Sequence, residues 1–113
     1  MRTTNLFILR GHVGQAPKAF GKTAKVNVAT DRVWTDSKGE RKEETDWVTI
    51  SLLNEKVAQW ALTHVVKGDA VYAECRIADG SYKDKAGETV YTTDVIANAF
   101  HKLDLGNRDD AGA

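Results

Sequence analysis

Three stretches of this chain alternate apolar and polar residues with a period of two, a pattern that fits a half-buried strand and not a helix. In AKVNVAT, Ala24, Val26 and Val28 fall on one face, and Lys25 and Asn27 on the other. In WVTISLL, Val48, Ile50 and Leu52 share a face, opposite Trp47, Thr49, Ser51 and Leu53. In AVYAECRI, Val71, Ala73, Cys75 and Ile77 oppose Tyr72, Glu74 and Arg76. ETVYTTDVIANAF is a further long β-rich run, and LFILRGHV opens with apolar residues on both parities. A strand of that last kind is covered on both faces, by core on one side and by something else on the other.

One segment departs from the pattern. NEKVAQWALTHVV places Val57, Trp60, Ala61 and His64 at helical spacing, with Asn54 as N-cap and KGD closing the helix at Gly68. DSKGE after Trp34 and DKAGE after Tyr82 are hairpin signals. The chain therefore predicts an all-β fold with a small α component. It has five strands in a closed Greek-key barrel, one helix between strands 3 and 4, and two long charged hairpins. The OB-fold is a small barrel with that order.

At 113 residues the chain is one domain, with ordinary hydrophobic and charged content for a soluble protein. Its formal net charge is zero, which excludes nucleic-acid binding by bulk positive charge but leaves room for a local basic groove. Cys75 is the only cysteine, so no internal disulfide forms and a reduced, cytosolic setting is expected. The apolar run near the N-terminus is too short for a signal or membrane segment.

The tryptophans are the candidate functional residues. DRVWTDSKGERKEETDW sets Trp34 and Trp47 at either end of a charged run. If Val48, Ile50 and Leu52 face the core, Trp47 faces outward with Thr49 and Ser51. An exposed indole on a polar face suits base stacking, because every base has a π-face. Arg32, Lys38, Arg41 and Lys42 lie in the same hairpin, where they are placed to track phosphates. The other reading of these rings is packing, on each other or on a partner subunit.

The order and spacing of these motifs resemble the bacterial single-stranded DNA-binding protein family, over about the first 105 residues. NLFILRGHVGQAPK is similar to the family's opening strand and Gly-x-x-Pro turn. VNVAT, a tryptophan, a charged Gly turn and ETDW are similar to its next hairpin. KGDAVYAECRI and SYKDKAGETVYTTDVIAN are similar to the remaining strands. The resemblance implies that Trp34 and Trp47 stack on bases, that Tyr82 stands in for a third stacking tryptophan, and that Leu53 stands where a stacking phenylalanine is common. Lys56 and Lys67 match backbone-contacting basic positions, and Arg76 and Lys83 complete the DNA-binding set. Ala78-Asp79-Gly80-Ser81 replaces a normally basic stretch, which implies weaker phosphate binding there. Val48 stands where a histidine is common at a subunit interface. The implied function is sequence-independent single-stranded DNA binding in replication, recombination and repair, by a cytoplasmic, nucleoid-associated homotetramer around which DNA wraps.

The other chemistry-bearing residues read plainly. Trp60 is expected in the core or an interface, and Cys75 as a small buried apolar residue. His12, His64 and His101 with Cys75 show no zinc spacing, so no metal or other cofactor is expected. No phosphate loop or nucleophile elbow is present, and no enzyme is expected. Two other readings remain: a primosome-type OB-fold accessory protein, and an OB-fold protein interaction module with weak or no DNA binding. Residues 1–105 are expected to form the OB-fold and 106–113 a flexible tail. LGNRDDAGA offers no terminal aromatic residue, so tail-dependent enzyme recruitment is not expected.

Overall fold

The computed structural model describes residues 1–104. The expected tail, 106–113, lies outside the described residues. The elements run β1 (Phe7–Val13), β2 (Lys18–Phe20), β3 (Thr23–Thr35), β4 (Arg41–Leu52), α1 (Glu55–His64), β5 (Ala70–Lys83) and β6 (Thr89–Lys102). The five expected strands are β1, β3, β4, β5 and β6, and the helix follows the third of them. The addition is β2, a three-residue strand folded onto β3 through a turn in which Gly21 takes a φ of 61°. Three residues are too few to carry a period-two signal.

The sheet order is β1-β5-β6-β4-β3-β2, and β1 also pairs with β3, which closes the barrel. Closure brings β3 hard against β1 at Gly11. A Cβ there would overlap the Ala29 carbonyl oxygen and sit 3.0 Å from Val28 Cγ1. Asn5 extends β1's pairing beyond its first residue. Its Nδ2 donates to Ile77 O at 2.7 Å and its Oδ1 accepts from Ile77 N at 3.0 Å, as a peptide group would.

The alternation read from the sequence sorts the core. Ala24, Val26, Val28, Ile50, Leu52, Val71, Ala73 and Cys75 are all buried, joined by Leu9, Val13 and Phe100. Leu6 and Ile8 point outward and are exposed, so β1 does carry a second apolar face. Cys75 has no solvent contact, and burial pushes its thiol pKa up, as expected of a small core residue.

Asn54 caps α1, its Oδ1 accepting from Val57 N at 3.1 Å. The helix packs on the barrel through Ala58 and Ala61, with Val65 buried just beyond its last turn. Small side chains let it approach closely and leave no room for an indole, so Trp60 is not core. It stays 37% exposed, stacked on His64 with ring centroids 5.3 Å apart and edge-on to Phe100. The helix also ends before Gly68. Val65 N donates to Ala61 O and then turns extended, while Gly68, at a φ of 95°, serves the turn into β5 and donates to Val13 O.

Two arms project beyond the barrel: the outer halves of β3 and β4, and of β5 and β6. Because β4 and β6 run parallel where they meet, at Ile50–Val95 and Ser51–Ile96, both arms leave the same end of the barrel. Their tips share one construction. Asp36 Oδ1 accepts from Lys38 N and Glu40 N, and Asp84 Oδ1 accepts from Ala86 N and Glu88 N, all at 2.9 Å. Gly39 and Gly87 supply φ values of 82° and 81° that a side chain would strain.

Candidate nucleic-acid interface

Register decides which way each ring points. Directly paired residues on neighbouring strands share a face, and successive residues alternate. The β3–β4 ladder runs without interruption from Ala24–Leu52 to Thr35–Arg41, with Trp47 opposite Ala29 and Trp34 opposite Lys42. Trp47 therefore lies on the outer face, in line with Thr49, Ser51 and Leu53. Trp34 lies on the opposite face, in line with Val26 and Val28 of the barrel lining. The two tryptophans do not share a surface.

Trp47 is the more open ring, 59% exposed, against 40% for Trp34. Its position depends on a glycine. A Cβ at Gly14 would fall on the six-membered ring of Trp47 and 2.8 Å from Asn27 Oδ1, so the indole rests directly on the Gly14 backbone. Trp34 is covered differently: the Arg32 guanidinium lies over it, 5.2 Å from the ring centroid. That guanidinium is itself held, with Nε 2.6 Å from Asp46 Oδ2 and Nη2 3.1 Å from Glu44 Oε2. The Asp46 hydrogen bond, followed by its charge, raises the Arg32 pKa above its ordinary value.

The hairpin cations are mostly spoken for. Arg41 pairs with Glu43 at 3.3 Å, and Lys42 with Glu40 at 3.4 Å and Asp36 at 3.9 Å. Among the described residues, Lys38, Lys56, Lys67, Arg76 and Lys83 form no ion pair. Lys56 sits on α1, after Leu53, and Lys67 precedes Gly68, both at the end of the barrel away from the arms. Lys67 is tied to the Trp47 side because Gly68 N donates to the oxygen of Val13, the neighbour of Gly14. The twelve candidates thus spread along the length of the molecule instead of meeting at one point.

The structure adds residues that sequence reasoning passed over. Lys25 pairs with Ser51 on one side and Lys18 on the other, which puts both lysines on the outer face beside Trp47's row. Lys25 Nζ lies 5.2 Å from the ring centroid of exposed Phe20. With Gln15, Asn27 and Thr49 these residues line a shallow groove. The alternation of AKVNVAT already placed Lys25 outward; Lys18 and Phe20 became visible only with β2. On the second arm, Tyr82 is 57% exposed, and Tyr91, which the sequence reading did not single out, is 81% exposed.

A small Greek-key barrel with exposed rings and lysines along one wall and on two arms has the architecture of an OB-fold binder of single-stranded nucleic acid. Comparison with known proteins agrees. The Single-strand binding protein family model matches residues 4–103, and the chain belongs to that family, whose members bind and do not catalyse. Among solved structures, the chain is similar to a Plasmodium falciparum SSB complex with ssDNA, at 23% identity and a TM-score of 0.76, over 92% of this chain and 98% of that one. It is similar to a deletion mutant of the single-stranded DNA binding protein from Thermus aquaticus, at 17% identity and a TM-score of 0.73, over 92% of this chain and 52% of that one. It is also similar to a mitochondrial single-stranded DNA binding protein from S. cerevisiae, at 20% identity and a TM-score of 0.62, over 90% and 97% of the two chains.

Proposed function

We propose that this protein binds single-stranded DNA without sequence preference, by stacking bases on Trp47 and Trp34 and holding phosphates on nearby lysines, in replication, recombination and repair. The observation that carries the reading is Trp47: an indole held open on a polar strand face, resting on glycine, with Lys25 and Lys18 on the same face. Rings supply the grip and few cations add to it. Tyr82 and Leu53 extend the apolar contacts at the arm and at the helix end, and Lys38, Lys56, Lys67, Arg76 and Lys83 are cations along the way that form no ion pair among the described residues. The OB-fold domain is the binding unit. Cytoplasmic, nucleoid-associated placement follows from this role; among the described residues no helix is long and apolar enough to cross a membrane.

The test is tryptophan fluorescence titrated with a homopyrimidine oligonucleotide. Strong quenching is the expected result. Silence at micromolar protein would point instead to an interaction module. Repeating the titration across salt concentrations separates the cations, since each phosphate contact on a single strand adds about 0.7 to the log–log slope. Lys38→Gln should lower the slope by about that amount. Arg41→Gln should leave it unchanged, because Glu43 already neutralises that guanidinium.

We further infer a homotetramer assembled through β1. Leu6 and Ile8 expose apolar side chains on the outer face of a strand whose inner face is already buried through Leu9 and Val13. Burying them against a second copy removes that area from water. Ile8→Asp is expected to lower the sedimenting mass while leaving the circular dichroism of the barrel intact. A wild-type monomer at micromolar concentration would refute this assembly.

A further inference from the structure

The second arm carries two exposed tyrosines, and they stand on opposite faces. In its outer part Tyr82 pairs with Val90, and Tyr91 with Ser81. The Tyr82 face continues through Gly80–Thr92 and Ala78–Asp94. The Tyr91 face continues through Lys83–Thr89 toward the tip and Asp79–Thr93 toward the barrel. The surroundings of the two rings differ in charge. Beside Tyr82, the Asp94 carboxylate lies over Gly80, where a Cβ would be 2.6 Å from its Oδ2, and Thr92 Oγ1 donates to it at 3.2 Å. Beside Tyr91, the nearest charge toward the tip is Lys83, whose Nζ donates to Thr89 Oγ1 at 2.9 Å and pairs with no carboxylate among the described residues. Asp79, on the barrel side of Tyr91, accepts from Thr93 Oγ1 at 3.4 Å.

A nucleotide presents a flat aromatic base and an anionic phosphate. It is served better by Tyr91, flanked by Lys83, unpaired among the described residues, on one side and by Asp79 on the other, than by Tyr82, flanked by Asp94 on the barrel side and by Asp84 and Glu88 toward the tip. We propose that Tyr91, with Lys83, is the principal base-stacking site of the second arm, in place of Tyr82. This rests on the single-strand-binding reading above. The base stacks on the phenol of Tyr91, the ammonium of Lys83 reaches the adjoining phosphate, and the strand passes over the face that also carries Trp34 on the first arm, the face continuous with the barrel lining. Tyr91 is the most exposed of the described tryptophan, tyrosine and phenylalanine rings, at 81%, so stacking requires no prior rearrangement.

The experiment compares Tyr91→Ala, Tyr91→Phe, Tyr82→Ala and Lys83→Gln in the full chain. Each is titrated with a labelled homopyrimidine oligonucleotide and run in sedimentation without DNA. Tyr91→Ala is expected to weaken binding about tenfold, which lies within the range for loss of one stacked base. Tyr91→Phe should retain wild-type affinity, because the ring and not the hydroxyl carries the contact. Tyr82→Ala should lose less than Tyr91→Ala, and Lys83→Gln should lower the salt slope by about 0.7. Affinity lost with Tyr82→Ala and kept with Tyr91→Ala would overturn the proposal. So would a Tyr91→Ala variant that changes sedimentation while binding DNA as wild type does, since that would make the ring a subunit contact. A wild-type protein that fails to bind any oligonucleotide would strike the proposed function itself, a distinguishable result.

Discussion

Replacing Trp34 and Trp47 with alanine should each weaken single-strand binding by about 1–3 kcal/mol while leaving the barrel folded. The fold survives because neither ring fills the core: Ile50, Leu52, Val26 and Val28 do that from the opposite parity or from deeper in the barrel. The two losses should come close to adding, because the indoles occupy opposite faces of the β3–β4 ladder and share no neighbour on it. Trp34 has a second component. Its ring carries the Arg32 guanidinium, so its removal also takes the cation–π contact from a cation that Asp46 and Glu44 go on holding. Fluorescence-independent binding measurements, such as oligonucleotide anisotropy, check this without relying on the residues removed. Unchanged affinity in a folded double variant would show that the rings serve packing.

Gly14→Ala is expected to cost most of what Trp47→Ala costs, although Gly14 has no side chain to offer DNA. The added methyl falls on the indole ring and 2.8 Å from Asn27 Oδ1. A fused ring cannot flex out of the way as a long aliphatic side chain would, so Trp47 must leave its seat. Gly14 N also donates to Asn27 O at 2.8 Å, which pins the backbone and keeps the strain on the ring. The diagnostic is a double-mutant cycle. If Gly14 acts by positioning Trp47, Gly14→Ala adds little once Trp47 is alanine. Full additivity would mean that the glycine matters for some other reason. The emission of Trp47, read in a Trp34→Phe, Trp60→Phe background, should also shift on Gly14→Ala alone.

The parity of the strands was legible in the sequence because one face of each is buried and a single-residue slip would invert it. Ala24, Val26, Val28, Ile50, Leu52, Val71, Ala73 and Cys75 all lie where the alternation put them. Outward placement of Trp47 followed from the same count. The helix was legible from its cap, and of the two places expected for Trp60, core or an interface, the core is the one the structure rules out. A large apolar residue at helical spacing looks like core, whereas this helix approaches the barrel through alanines. The arm cations were visible as residues but not as ion pairs, because cross-strand partners such as Arg32 and Glu44 depend on register, which the turn sequence alone does not set. Lys18 and Phe20 were missed for the same reason, since β2 is defined by its pairing to β3 and by nothing periodic of its own.

The register shift in β5–β6 bears on how such arms diversify. Below it Glu74 pairs with Ala99; above it Cys75 pairs with Ala97, and Asn98 is the extra residue. Had the lower register continued, Tyr82 would stand directly opposite Tyr91, and both phenols would share one face as a neighbouring pair. With Asn98 left out of the ladder the arm is a two-sided blade; with Asn98 paired to Cys75 it would carry a one-sided aromatic patch. The register of the arm, and not the identity of its rings, thus sets which side of it each phenol faces.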